Sequence, residues 1–283
     1  MMSKKSEIID MIFRLPPMDN EVAIDSLCIE CLRVFNGSVN FSDEEYISQY
    51  RRTLFSSLRQ IDSDHVRNGG LQTFEYFENK GLRVRWRTQS ASDRRLKRKI
   101  ERRAAAISWI NDLKDDRDYE FLGGLIMKKL GATKLHVTPR GNEFGIDFLA
   151  ITPAFSRSNI FLSADRGVRI VGQAKYYSHP VPREKIQAFN DVMNSIRSNK
   201  QELTGVLPAW FRSSPAPLIG CFVAHNGYQS GARTSAEQNG YLLFDTRGAG
   251  EVISCVGKLD HIHSAADLNR YLWTELKTIK DEV

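Results

Sequence analysis

The spacing of apolar positions divides the chain into a helical first part and a second part in which strands and helices alternate. Between Asp19 and Phe35 the residues Val22, Ile24, Leu27, Leu32 and Phe35 recur at helical spacing and predict an amphipathic helix. Ser42 followed by Glu45 has the form of a capping box and predicts a second helix running to about Leu58. Phe74, Tyr76, Leu82, Val84 and Trp86 then alternate with polar residues around Asn79-Lys80-Gly81, the pattern of a β-hairpin. Helices followed by a hairpin predict an N-terminal helical domain of winged-helix type.

In the second part a helix is expected from about Asp118 to Leu130, stopped by Gly131 at the position where a left-handed residue closes a helix. Strands are expected at Lys134 to Thr138, Gly145 to Ile151 and Val168 to Tyr176, followed by a helix from Pro182 to about Ser198. A strand from Leu218 to Ala224, a helix from Tyr228 to Asn239, a short strand from Tyr241 to Phe244 and a helix from Ala265 to about Thr278 complete the series. That order predicts an α/β domain built on one sheet.

Composition adds little to this picture and excludes a good deal. With 41% hydrophobic and 26% charged residues in 283, the chain is neither disordered nor fibrous, and its length suggests two domains at about 150 residues each. Its longest uncharged stretch, Ser213 to Ala232, holds Pro215, Pro217, His225 and Asn226, so no bilayer span is expected. Four cysteines are too few for a disulfide scaffold, and Glu7 and Asp10 interrupt the opening apolar stretch where a secretory signal would lie. A cytoplasmic protein with reduced thiols is expected. Cys28 and Cys31 have the spacing of half a zinc site, but without a second pair they read as helix packing, and His261 and His263 read as structural or surface residues.

Charge is where composition changes the reading. The net charge is +6, yet Arg83 to Arg103 alone carries ten Lys or Arg against Asp93 and Glu101, leaving the remainder slightly acidic. This run marks a domain junction, and with Trp86 inside it Arg83, Arg85, Arg87, Arg94, Arg95, Lys97 and Arg98 are the expected contacts to double-stranded DNA. Neutralising roughly six phosphates there would cost about 10³-fold in affinity between 50 and 200 mM salt.

Three segments carry candidate chemistry: Tyr119-Glu120-Phe121 on the first helix of the second part, Gly145-Ile146-Asp147 on its second strand, and Gln173-Ala174-Lys175 ending its third. Side chains alternate along a strand, so Gln173 and Lys175 share a face, and pairing of the two strands would bring Asp147 beside them. A carboxylate, an amide oxygen and an ammonium group at one end of a sheet, with Glu120 arriving from a helix, suit phosphodiester hydrolysis. A hard divalent cation needs only one or two carboxylates plus substrate phosphate and water. Asp147 is then the principal metal ligand, Glu120 a second, Gln173 a positioner of metal or water, the Ala174 carbonyl a further ligand and Lys175 the catalytic cation.

These motifs resemble the Mrr-type restriction endonucleases, a QxK branch of the PD-(D/E)xK nucleases. The resemblance rests on Tyr119-Glu120-Phe121 before Leu130-Gly131, on the segment Gly141 to Asp147, and on Val171 to Tyr177. It extends through Phe222-Val223-Ala224 and Gly227, Ala232 and Ala236. It covers about Asp118 to Asp245. The chain departs from the family pattern at Asn142, where an aspartate is frequent and Glu143 is adjacent, and no proline precedes Asp147.

The resemblance implies a restriction-endonuclease-like core, a central mixed sheet flanked by helices, at residues 115–283. Residues 89–114 would be a basic helical linker and 1–88 a DNA-binding domain. It further implies a Mg²⁺-dependent DNA endonuclease, with Mn²⁺ as a substitute, acting on foreign or modified DNA as a homodimer or within a larger defence complex. A Holliday-junction-type resolvase and a catalytically silent DNA-binding protein are the alternatives.

Overall fold

The computed structural model describes residues 4–67, 70–87, 94–141, 144–153, 167–255, 259, 262 and 264–282. Residues up to Trp109 form one compact unit, and Ile110 to Ile262 with the chain from Asn269 onward form another.

The first unit contains α1 (Lys4–Arg14), β1 (Val22–Ala23), α2 (Ile24–Asn36), α3 (Phe41–Arg67), β2 (Phe74–Phe77) and β3 (Arg83–Trp86). A longer helix, α4 (Arg94–Asn111), follows. The three short strands pair antiparallel in the order β1-β3-β2. Three helices followed by an antiparallel hairpin match the expected order of elements. One core runs through the unit, from Ile8, Ile12, Leu27, Cys28 and Cys31 to Leu54, Phe55, Phe74, Val84, Trp86, Ile100 and Ile107. The two cysteines are therefore packing residues, as their spacing without a second pair suggested, and burial pushes their thiols far above the ordinary value.

Three expectations change in this unit. The helix expected from Asp19 begins at Ile24, because Val22 and Ala23 are drawn into the sheet opposite Val84 and Arg83. The second helix runs to Arg67 rather than Leu58. Its cap is also displaced: Asn40 Oδ1 accepts from the Asp43 amide while Asp43 Oδ2 accepts from the Asn40 amide, so the reciprocal box is Asn40/Asp43 instead of Ser42/Glu45.

The second unit is built on a five-stranded sheet, β4-β5-β6-β7-β8, formed by Lys134–Val137, Phe148–Thr152, Val168–Lys175, Leu218–Ala224 and Leu242–Asp245. The first three strands run antiparallel and the last three parallel, a mixed sheet. Helix α5 (Asp116–Lys129) packs on one face. On the other, α6 (Arg183–Arg197) and α8 (Ser230–Gln238) close a core of Leu149, Val171, Ile186, Phe189, Phe222, Ala232 and Ala236. The short α7 (Ala209–Arg212), then α9 (Thr246–Cys255) and α10 (Ala265–Asp281), complete the described chain. The sheet flanked by helices is the expected architecture.

One slot fixes how closely α5 approaches the sheet. A Cβ on Gly172 of β6 would fall 1.9 Å from the Phe148 ring, and one on Gly123 of α5 would fall 2.2 Å from it. The ring thus lies between two positions that must lack side chains. Gly172→Ala is expected to lower unfolding free energy by roughly 3 kcal/mol, the upper range for forced overpacking. Phe148→Leu should recover part of that loss, and a double-mutant cycle in urea would show additive effects if the slot were not shared.

Candidate active site

Asp147 reaches its position through a tight turn. Phe144 and Gly145 both adopt positive φ, 40° and 75°, so the strand expected from Gly145 begins instead at Phe148. The residue after the turn is held on both sides: Asp147 donates its amide to the Gly172 carbonyl at 2.9 Å and accepts the Thr138 amide at 2.9 Å. In a regular strand the N–H and C=O of one residue point to the same neighbour, so the backbone twists here.

The side chain of Asp147, only 1% exposed, accepts the Ala174 amide at 2.6 Å through Oδ2. The same oxygen lies 3.7 Å from Lys175 Nζ. Residues far apart in sequence thus meet because β5 and β6 pair antiparallel, Phe148 opposite Gly172. Gln173 lies on the same strand, and a Cβ on Gly145 would come within 3.4 Å of its amide nitrogen. This turn and the two positions flanking Ala174 therefore share one small volume.

Glu120 is placed differently. It is 8% exposed on α5 and is gripped by Arg117, which also donates to the Thr138 carbonyl at 2.7 Å and stacks on Phe121. Because the amide of Thr138 is bonded to Asp147, Arg117 and Thr138 link the two acids. The α5 terminus is tied to the end of β6 as well, since Asp116 accepts the Tyr176 amide at 3.1 Å. Neither Arg117 nor Thr138 stood out in the sequence; the i to i+3 spacing of Arg117 and Glu120 was the available signal.

The groups expected to hold an ion, the carboxylates of Asp147 and Glu120, the amide of Gln173 and the carbonyl of Ala174, are oxygen donors of the kind a hard divalent cation takes. The structure sets Lys175 against Asp147, while the Glu120 carboxylate is paired with Arg117. Among the described residues no group of three His, Cys, Asp or Glu that could hold a metal ion is present, so an ion here would rest on one or two carboxylates, neutral oxygens, water and substrate phosphate. Thr138, whose amide is bonded to the Asp147 carbonyl, also has a buried hydroxyl oxygen without a hydrogen-bond partner. Asn142 and Glu143 lie outside the described residues, as do His261, His263 and the side chain of Arg94.

Behind Lys175 stands an aromatic group the sequence did not disclose. His225 donates its amide to the Lys175 carbonyl at 3.1 Å, its Nδ1 lies 2.7 Å from the Tyr119 hydroxyl, and its ring packs on Tyr176. Burial lowers its pKa to about 4, against 6.5 in the unfolded chain, so the unfolded state takes up the proton first as pH falls. Stability should decline from about pH 6.5 down to pH 4, by about 2 kcal/mol after allowance for partial exposure. His225→Gln should remove that part of the decline; equal losses in both proteins between pH 7 and pH 4.5 would refute the assignment.

Of the expected DNA contacts, Arg83 is paired with Glu21 at 2.9 Å and also donates to the Glu21 carbonyl. Arg85 is paired with Glu75 across the hairpin. Lys97 lies 3.8 Å from Asp19, while Arg87, Arg95 and Arg98 are exposed. Trp86, expected to stand among them as an aromatic contact, is instead 1% exposed and packs edge-on against Phe74.

No curated protein matches the chain by sequence. Three solved structures resemble it weakly. The DNA modification-dependent restriction endonuclease AspBHI is 12% identical over 64% of this chain and 40% of its own, with a TM-score of 0.39. MspJI restriction endonuclease in complex with a 27-mer oligonucleotide is 14% identical over 70% of this chain and 41% of its own, at 0.38. Restriction endonuclease FokI bound to DNA is 12% identical over 86% and 52%, at 0.36. The chain therefore spans about half or less of each. The segment that holds Glu120, Asp147, Gln173 and Lys175 is a different matter: residues 114–210 match the restriction endonuclease family model Mrr_cat.

Proposed function

We propose that the chain is a Mg²⁺-dependent endodeoxyribonuclease of the Mrr-like type, with Mn²⁺ able to replace Mg²⁺, that restricts foreign or modified DNA as part of anti-phage defence. One observation carries the reading: within the segment that matches the restriction endonuclease family model, Asp147 is anchored by the Ala174 amide at 2.6 Å and faces Lys175 at 3.7 Å. Its substrate is double-stranded DNA, and its setting is cytoplasmic. Cutting both strands asks for two sites, so the working form is a homodimer, alone or within a larger defence complex.

In this reading Asp147 and Glu120 hold the ion, assisted by the Ala174 carbonyl. When bound, a divalent cation supplies charge neutralisation at the phosphate and acidifies water. Gln173 positions that water. Lys175 orients it and stabilises the negative charge that builds on the phosphoryl oxygens. Water attacks phosphorus in line, the bond to the 3′ oxygen breaks, and 5′-phosphate and 3′-hydroxyl ends result without a covalent intermediate. The domain plan proposed with it assigns DNA binding to residues 1–88, a basic helical linker to 89–114 and cleavage to 115–283. Arg87, Arg95 and Arg98 are its phosphate contacts.

The test is purified protein with plasmid DNA, methylated and unmethylated, and with four-way junctions, in Mg²⁺ and in EDTA. Nicked or linear plasmid in Mg²⁺ alone is expected. Binding that persists in EDTA with no cutting of any substrate would leave a silent DNA-binding protein, and preferred cutting of junctions would leave a resolvase.

A further inference from the structure

In the first unit, α2 and α3 are joined by four residues, Gly37 to Asn40, and Gly37 closes α2 in the left-handed conformation at φ 75°. Two helices joined by a turn of three or four residues containing glycine are the helix-turn-helix arrangement, whose second helix enters the DNA major groove. Here that second helix is α3, and the hairpin β2–β3 follows it as a wing.

The outward side of α3 is unusual for a solvated helix. Ile47, Leu54, Phe55, Leu58 and Asp62 face inward. The opposite side presents Gln49, Arg52, Thr53, Ser56, Gln60 and Ser63, all exposed, and carries no acid between Gln49 and Ser63. The last acid of α3's first turns, Glu45, lies about 6 Å along the axis from Gln49 and about 10 Å from Arg52 at 1.5 Å per residue. An ordinary exposed helix mixes both signs of charge; this stretch offers arginine, amide and hydroxyl groups, the ones that bond to base edges and phosphates.

An open groove of about 450 Å³ runs along the same stretch, lined by Arg52, Thr53, Ser56, Ser57 and Gln60. Arg52, Ser56 and Gln60 are four residues apart in turn, so they form one row, which continues to Asp64, where the Gln60 amide donates to Oδ1 at 2.9 Å and would have to turn to meet a base. Among the described residues Arg52 has no ion-pair partner, in contrast to Arg83 and Arg85 on the hairpin, whose charge is neutralised by Glu21 and Glu75.

We propose that α3 is the DNA-reading helix, with Arg52, Ser56 and Gln60 set against base edges in the major groove of double-stranded DNA. The assignment rests on the reading of the chain as a DNA nuclease and places base reading on α3, beside the phosphate contacts expected from the basic segment.

The test uses the full chain carrying Asp147→Asn, to prevent cutting, and fluorescence anisotropy with a pool of 30-base-pair duplexes. Arg52→Glu should weaken binding by about tenfold or more and leave the thermal midpoint unchanged. Gln60→Ala should change which duplexes are enriched in a competition selection. Affinity within twofold of the parent for Arg52→Glu, with the same enriched duplexes for Gln60→Ala, would overturn the assignment. So would a parent that binds no duplex at any salt concentration. Cleavage by the chain without the Asp147 substitution is read separately, so failure here leaves the nuclease reading standing, and absence of cutting defeats that reading whatever α3 does.

Discussion

Replacing Asp147 by asparagine is expected to lower DNA cleavage by about a thousandfold while the metal-free protein keeps its stability. The substitution separates two roles that alanine would remove together. Asp147 Oδ2 accepts the Ala174 amide at the point where the β5–β6 ladder ends, and an asparagine oxygen can still do so. What asparagine cannot do is carry the negative charge that faces Lys175 Nζ and that a divalent cation requires. A residue that merely caps the ladder would tolerate the change. Cleavage within tenfold of the parent would therefore end the case for Asp147 as metal ligand. Calorimetric Mn²⁺ titration gives a second readout, with weakened binding expected in Asp147→Asn. Lys175→Met should behave differently: a comparable loss of cleavage with Mn²⁺ affinity kept or raised, since it removes a positive charge beside the site.

How far the sequence disclosed this site follows from what each signal measures. The pairing of Asp147 with Lys175 was legible because strand alternation puts Lys175 on a definite face of β6 and consecutive strands commonly pair. The position of Asp147 just before β5 was not, because Phe144 adopts a positive φ that only tertiary context can impose on an aromatic residue. Glu120 was legible as an acid on the right helix, but its grip by Arg117 depends on where the Thr138 carbonyl ends up. The pairing of Arg83 and Arg85 within the basic run was not legible for a related reason. Charge counts register residues and not partners, and Glu21 and Glu75 lie far enough away in sequence to escape the count while meeting Arg83 and Arg85 in space. The long, nearly neutral outer side of α3 escaped for the converse reason, having no net charge run to notice.

The largest stability effect is expected from a residue no motif contains. Asp62 is 1% exposed, and its carboxylate accepts the Thr73 amide at 2.9 Å, the Phe74 amide at 3.1 Å and the Tyr76 hydroxyl at 3.2 Å. It thereby ties α3 to β2, and Thr73 is held from its other side by the buried Arg103, which donates to its hydroxyl and to the Leu71 carbonyl. Asp62→Ala would take the side-chain acceptor from two amides and leave the Tyr76 hydroxyl only the Leu58 carbonyl. Leaving buried groups unpaired costs more than the bonds themselves contribute, so a loss of about 4 kcal/mol is expected. That is most of the stability of a small domain. Asp62→Asn keeps one acceptor and should lose about half as much. Urea denaturation followed by near-ultraviolet circular dichroism, which registers the packing of the buried Phe74 and Trp86, measures both. A loss under about 1 kcal/mol for Asp62→Ala would mean that backbone pairing alone holds β2 against α3.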